Sequence, residues 1–168
     1  ISPAKKMNEE RDDFPALGLP VFLGKTNTLR DWLKGLSYED AKALWTCNDK
    51  LAQLNFDRFA AMGALDELSR LTPAILSYEG IQYRYMAPGV FTNREYDYIQ
   101  EHLRILSGFY GVLRPFDGVT PYRLEMQAKL KMGKAKDLYA FWGSLLAEHL
   151  FSQTDCIINL ASKEYSIC

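Results

Sequence analysis

Apolar residues recur at helical spacing in several stretches of the chain, and each stretch follows a residue that can cap a helix. Ala41, Leu44 and Trp45 share one face of a segment that begins at Ser37. The same reasoning predicts further helices over residues 28–33, from Asn48 onward, over 74–77, from Thr92 to about Leu106, and from Asp137 to His149. An acidic loop is predicted at residues 8–13.

Three other stretches follow the pattern of strands. Residues 81–86 and 121–126 alternate between larger apolar and polar side chains, and residues 156–160 form a short apolar run typical of a buried strand. Helices outnumber these strands and the strands are scattered along the chain. The pattern therefore predicts one mixed α/β (α+β) domain, rich in helix, around a mixed sheet.

Residues 103–115, LRILSGFYGVLRP, hold two glycines three positions apart between apolar runs. Glycines permit a tight turn or a close approach to the backbone, and Arg104 and Arg114 flank the turn. Amide groups exposed in such a turn would suit a phosphate. The spacing alone favours the other interpretation, a strand with a tight bend in which the glycines serve packing.

Composition narrows the class of protein. With 48% hydrophobic residues, 24% charged residues and a net charge of −1, the chain is typical of a soluble globular protein without a global attraction to nucleic acid. Its ten Tyr and nine Phe indicate an aromatic core. Three scattered cysteines fit neither a disulfide framework nor a zinc site, and no apolar run reaches the length of a membrane span. We expect a cytoplasmic protein that has no metal site, no cofactor and no contact with membrane.

Local charge offers two candidate sites. Residues 119–136 carry five basic side chains and one acidic side chain, and are predicted to form a solvated basic surface. The basic residues are Arg123, Lys129, Lys131, Lys134 and Lys136. If residues 121–126 are extended, Arg123 and Glu125 share a face, where an ion pair is the simplest account. Ser2 and Lys5 could form a nucleophile and base, although nothing in the sequence brings them together. The common nucleotide-binding, hydrolase and zinc-protease motifs are not found.

Six sequence segments come in the same order as in the YaaA family of bacterial peroxide stress proteins. Through these segments the chain resembles that family from end to end. They are ISPAK at residues 1–5, DKLA at 49–52, the glycine segment at 103–115, PYRLEM at 121–126, DLYAFW at 137–142 and INLASKEY at 158–165. Two departures stand out. Gln127-Ala128 replaces a Gly-Thr common in the family, and the family continues beyond the last block. We therefore expect a single YaaA-like domain over residues 1–168, truncated at both ends.

The resemblance implies a fold with a helix-hairpin-helix-like element, best matched by the glycine segment. It also implies a stress protein that binds DNA through backbone phosphates, without sequence preference, and helps to limit free iron and DNA damage. The residues expected at the DNA are Arg104, Ser107, Gly108, Gly111, Arg114, Lys129, Lys131, Lys134 and Lys136.

The alternative is an enzyme of unknown reaction, or a binder of small molecules, with a polar cleft. Its candidate residues are the polar side chains within the family-like blocks, Lys5, Tyr110, Arg114, Arg123, Glu125 and Glu164. Of the two hypotheses, the sequence favours the DNA-binding protein over the enzyme.

Overall fold

The computed structural model describes residues 1–8 and 14–168, and most of the acidic loop predicted at 8–13 lies outside this part. Its helices are α1 (Leu23–Lys34), α2 (Tyr38–Trp45), α3 (Asp49–Ala61), α4 (Ala74–Ser77), α5 (Ile81–Met86), α6 (Asn93–His102), α7 (Leu138–Trp142) and α8 (Leu145–Phe151). Single turns of 3-10 helix lie at Leu68–Arg70 and Pro88–Val90. The strands are β1 (Lys6–Met7), β2 (Thr72–Pro73), β3 (Tyr78–Glu79), β4 (Ile105–Ser107), β5 (Gly111–Leu113) and β6 (Gly118–Val119). The α+β class is confirmed.

The predicted caps explain where several helices begin. The side chain of Ser37 accepts a hydrogen bond from the Asp40 amide at the start of α2, and that of Asn48 accepts one from the Leu51 amide at the start of α3. Thr92 forms the predicted capping box with Glu95 before α6. Each cap satisfies an amide that would otherwise lack a partner in the first turn of its helix.

Other boundaries were predicted wrongly. Helix α1 begins at Leu23, upstream of Thr28, whose hydroxyl instead donates to the carbonyl of Gly24 inside the helix. Residues 81–86 form helix α5, not a strand. The helix predicted from Asp137 to His149 is divided, because Gly143 has a φ of +57°, which a helix does not allow.

The strands form three antiparallel pairs, β1 with β3, β2 with β6, and β4 with β5. A parallel bridge joins Gly18 to Asp117 beside the second pair. The predicted mixed sheet is therefore a set of two-stranded ladders, with one parallel bridge, in the part of the chain that is described. The buried strand predicted at residues 156–160 is wrong, since these residues form no strand and are exposed, with Ile158 81% accessible to solvent.

The glycine segment is a buried β-hairpin. Helix α6 ends at His102, and residues 105–113 form β4, a turn and β5, all of them buried. A Cβ on Gly108 would lie 2.6 Å from the carbonyl oxygen of Leu124, and Gly111 has a φ of +80°. The predicted helix-hairpin-helix-like element is thus not formed here. The glycines serve turn geometry and packing, the interpretation that the spacing favoured.

An aromatic core holds this hairpin, as the composition predicts. Phe109 packs against Phe59, Tyr110 and Tyr122, with ring centroids 4.8 to 5.5 Å apart. The buried hydroxyl of Tyr122 lies 2.8 Å from that of Tyr78 and 2.6 Å from that of Ser107. Packing and these hydrogen bonds fix the position of residues 121–126, which carry Arg123 and Glu125.

Candidate functional site

A polar cleft lies where the N-terminal segment meets residues 122–125. This first cavity has a volume of about 640 Å³. Its walls come from residues 2–6, 79–83, 122–125, 160–162 and 164–165. These segments are distant in sequence and meet because β1 pairs with β3 and the C-terminal segment lies against Ser2.

Glu125 stands at the centre of the charged groups in the cleft. Its Oε2 lies 2.8 Å from Nζ of Lys5, and its Oε1 accepts a hydrogen bond from the Arg123 guanidinium over 2.9 Å. The side chains of Arg123 and Glu125 are only 13% and 18% exposed, whereas that of Lys5 is 63% exposed. Two cations therefore share one carboxylate, and one of them, Lys5, remains open to a ligand.

The alternation of residues 121–126 explains why these side chains meet. Tyr122, Leu124 and Met126 are buried in the core, so Arg123 and Glu125 face the other way. The predicted pair of Arg123 and Glu125 on one face is confirmed. The contact with Lys5 has no local signal in the sequence, because it joins residues 120 positions apart, and only the family resemblance placed Lys5 in the same cleft.

Ser2 and Ser162 form a second polar group in the first cavity. The hydroxyl of Ser2 donates to that of Ser162 over 3.1 Å and accepts a hydrogen bond from the Ser162 amide over 2.7 Å. The structure thus brings Ser2 and Lys5 to the same cavity, but the hydroxyl of Ser2 is bonded to Ser162 and the ammonium of Lys5 to Glu125. Sequence reasoning did not single out Ser162.

Three tyrosines line the same cavity, Tyr83, Tyr122 and Tyr165. Burial raises the pKa of Tyr122 to about 12, and burial also raises the pKa values of Tyr83 and Tyr165 above the ordinary range. These hydroxyls keep their protons at neutral pH. They are hydrogen-bonding groups and not proton acceptors in this state.

A second cavity of about 560 Å³ borders the same cluster. It is lined by residues 43–46 at the end of α2, by residues 127–129 and by Lys5, Arg123 and Glu125. Those last three residues are the ones it shares with the first cavity. The cluster of Lys5, Arg123 and Glu125 is therefore a common wall.

The six candidates for a polar cleft divide into two groups. Four of them, Lys5, Arg123, Glu125 and Glu164, line the first cavity. Tyr110 does not, since it is buried in the core and its hydroxyl accepts from the Thr120 amide over 3.1 Å. Arg114 does not either, because it pairs with Asp117 over 3.3 Å near the other end of the hairpin.

The residues predicted to contact DNA are scattered. Ser107, Gly108 and Gly111 are buried, and the Ser107 side chain already accepts from the amides of Phe109 and Tyr110. A phosphate cannot reach these groups without opening the core. The burial of the glycine turn argues against the predicted DNA contact there, which stays a prediction.

The basic candidates remain at the surface. Arg114 is exposed, and Arg104 is half-buried with its guanidinium donating to the side chain of Gln153. Lys129, Lys131, Lys134 and Lys136 are exposed, and they make no ion pair with any residue in the described part of the chain. A basic surface is present at residues 129–136, separate from the glycine turn.

The described residues contain neither a cluster of metal-ligating side chains nor a helix suited to span a membrane. Within residues 1–8 and 14–168, no three His, Cys, Asp or Glu side chains are grouped so that they could hold a metal ion. In the same residues, no helix has the length and apolar character needed to cross a membrane.

Fold and site together describe a helix-rich α+β protein with a charged cleft beside its aromatic core. The chain belongs to the peroxide stress protein YaaA family, whose family model matches residues 1–168. It is 60% identical over 168 residues to a UPF0246 protein of Lachnoclostridium phytofermentans, covering all of this chain and 65% of that protein. It is 59% identical over 166 residues to a UPF0246 protein of Lactiplantibacillus plantarum, covering 99% of this chain and 66% of that one. The chain thus spans just under two thirds of the length of these relatives.

Proposed function

We propose that this protein acts in the response to peroxide stress by binding a small polar molecule in the first cavity. The observation that carries the proposal is the convergence of Lys5, Arg123 and Glu125 at the wall of that cavity. Four of the six polar residues suggested by the family-like blocks line it, and they come from separate parts of the chain.

The composition of the cavity indicates what kind of molecule it would accept. Three cations, Lys5, Lys6 and Arg123, face three acids, Glu79, Glu125 and Glu164. Lys6 pairs with Glu79, and Glu164 accepts a hydrogen bond from the Gln127 amide over 3.2 Å. A site with balanced charges and several hydroxyl groups suits a polar or zwitterionic molecule better than a strong anion.

Lys5 is the residue best placed to contact such a ligand. Its ammonium is mostly exposed, while Arg123 behind it is not, and both are held by Glu125. A carboxylate that bridges two cations fixes their positions and needs no rearrangement when a ligand arrives. Lys5 and Glu125 are among the side chains of this cavity that could transfer a proton in a reaction.

The second candidate function is DNA binding without sequence preference. The observation that favours it is the exposed and unpaired set of lysines at residues 129–136, within the described residues. Such a surface would contact backbone phosphates and leave the bases unread. The family resemblance also implies a role in limiting free iron. We include this role in the proposed response to peroxide stress.

The test compares peroxide survival and free iron in cells that carry variants of the full-length protein at equal abundance. We expect Glu125→Gln and Lys5→Met to lose protection, because the cleft loses its central contacts. The matched control is Glu39→Gln, since Glu39 is exposed and lies in neither cavity. Full protection by Glu125→Gln, with control levels of free iron, would overturn the proposed role of the cleft.

A further inference from the structure

The second cavity differs from the first in charge. Its lining contains three cations, Lys5, Arg123 and Lys129, and one acid, Glu125. The first cavity contains three of each sign. A concave site with an excess of two positive charges attracts anions.

Two buried donors beside this cavity have no acceptor among the described residues. The first is the indole N–H of Trp45, a side chain that is only 6% exposed. The second is the Nε of Arg123. Buried donors are nearly always paired in native proteins, so two of them in the lining of one cavity need an explanation.

Packing alone does not account for the position of Trp45. Its ring stacks on Phe59 with centroids 5.8 Å apart, which a phenylalanine could also do without an unpaired donor. In contrast, the indole N–H of Trp142 donates to the carbonyl of Gly108 over 3.0 Å. The core of this protein can therefore satisfy a buried indole.

We propose that the second cavity binds an oxyanion, a phosphate or carboxylate group, with Lys129 and Arg123 supplying charge and Trp45 a hydrogen bond. A compact group with several acceptor oxygens could accept from several donors of the lining residues, and a guanidinium favours planar or tetrahedral oxyanions. The volume of about 560 Å³ exceeds the size of the anionic group alone. The natural ligand is thus a larger molecule with an oxyanion at one end.

This site can be tested separately from the first cavity, although the two cavities share Lys5, Arg123 and Glu125. Trp45 and Lys129 line only the second cavity, and Ser162 lines only the first. The effect of changing Trp45 or Lys129 on anion binding therefore tests the second cavity, whether or not the first cavity binds a ligand. Lys129 also lies in the basic surface, where the exposed Lys131, outside both cavities, provides a matched control.

The test is a titration of the protein with inorganic phosphate, and in parallel with acetate, followed by nuclear magnetic resonance of the indole N–H groups. The Trp45 resonance, assigned with Trp45→Phe, should shift as the anion binds, whereas that of Trp142 should not. Sodium chloride at equal ionic strength should not reproduce the shift. A shift with phosphate alone would identify the anionic group of the natural ligand as a phosphate ester. A shift with acetate would identify it as a carboxylate.

Affinity measured by calorimetry completes the test. Lys129→Met should weaken phosphate binding about fivefold or more, since one charged contact is lost, and Lys131→Met and Ser162→Ala should leave it unchanged. Lys129 is exposed, so its variant keeps the test valid if Trp45→Phe fails to fold. The proposal is overturned if neither anion shifts the Trp45 resonance, or if Lys129→Met and Lys131→Met weaken binding equally.

Discussion

The indole N–H of Trp142 donates a hydrogen bond of 3.0 Å to the carbonyl of Gly108, joining helix α7 to the turn between β4 and β5. Both residues are buried. The backbone of residues 124–126 also lies close to Gly108, where a Cβ would have no room. The turn is thus enclosed between α7 and the segment that carries Arg123 and Glu125.

This enclosure predicts that Gly108→Ala destabilises the protein. The new Cβ would lie 2.6 Å from the carbonyl oxygen of Leu124 and 3.1 Å from the amide nitrogen of Met126. Backbone atoms cannot give way as a flexible side chain can, so we expect a loss of about 1–3 kcal/mol in the free energy of unfolding, measured with urea.

Gly89→Ala is the control for that prediction. Nothing lies within 4 Å of a Cβ built at Gly89. Because alanine restricts the unfolded chain more than glycine does, we expect no loss and a gain of up to about 1 kcal/mol. Equal losses in the two variants would mean that the enclosure of Gly108 does not limit stability.

The charged cluster predicts unequal costs for its members. Glu125→Gln leaves the largely buried Arg123 without its carboxylate, for which we expect a loss of about 1–3 kcal/mol. Lys5→Met removes a partner that is 63% exposed, and such pairs contribute only about 0–1 kcal/mol. Urea unfolding of both variants measures the difference, and a larger loss for Lys5→Met would contradict it.

Local signals predicted much of the fold. Ser37, Asn48 and Thr92 mark helix starts because a cap depends on residues only three positions apart. Residues 81–86 alternate like a strand but form α5, since the short ladders leave them no partner strand within the described chain. A strand needs a distant partner, and the sequence pattern alone does not show it.

Part of the site was also predictable, because it depends on residues that are close in sequence. Arg123 and Glu125 are two positions apart, so extended backbone alone places them on one face. The blocks that resemble the family also supplied Lys5 and Glu164. Trp45 and Ser162 were missed as site residues, because an unpaired indole and a serine pair become visible only when distant segments meet.

The lysine surface predicts a salt-dependent contact with DNA. If Lys129, Lys131, Lys134 and Lys136 each contact a phosphate, the slope of log K against log salt should be roughly −3 to −4. Changing all four to Gln should abolish binding, whereas Gly89→Ala should not alter it. An affinity that does not depend on salt, or a strong preference for one sequence, would exclude this surface as the contact.

His149 predicts a pH dependence of stability. Partial burial lowers its pKa below the ordinary 6.5, and the positive charges of Arg104 and Arg114 lower it further, with Asp117 opposing them. The unfolded chain therefore takes up a proton at a higher pH than the folded one. The stabilising contribution is complete above pH 6.5 and is lost as the pH falls below that value.

Thermal unfolding between about pH 7 and pH 5 measures this effect. We expect His149→Gln to flatten the pH dependence of stability. The same slope in the wild type and in His149→Gln would show that other groups produce it.

The buried tyrosines give this protein an internal indicator of the state of its core. Burial raises the pKa values of Tyr78, Tyr110 and Tyr122, so these phenols resist ionisation while the fold is intact. Unfolded, they would ionise near the ordinary value of 10, and alkali therefore drives unfolding by trapping the phenolates. The part of the ultraviolet absorption change that comes from these three tyrosines should appear in one cooperative step together with the loss of helix. An alkaline titration would then report the integrity of the core behind the first cavity, which Tyr122 lines.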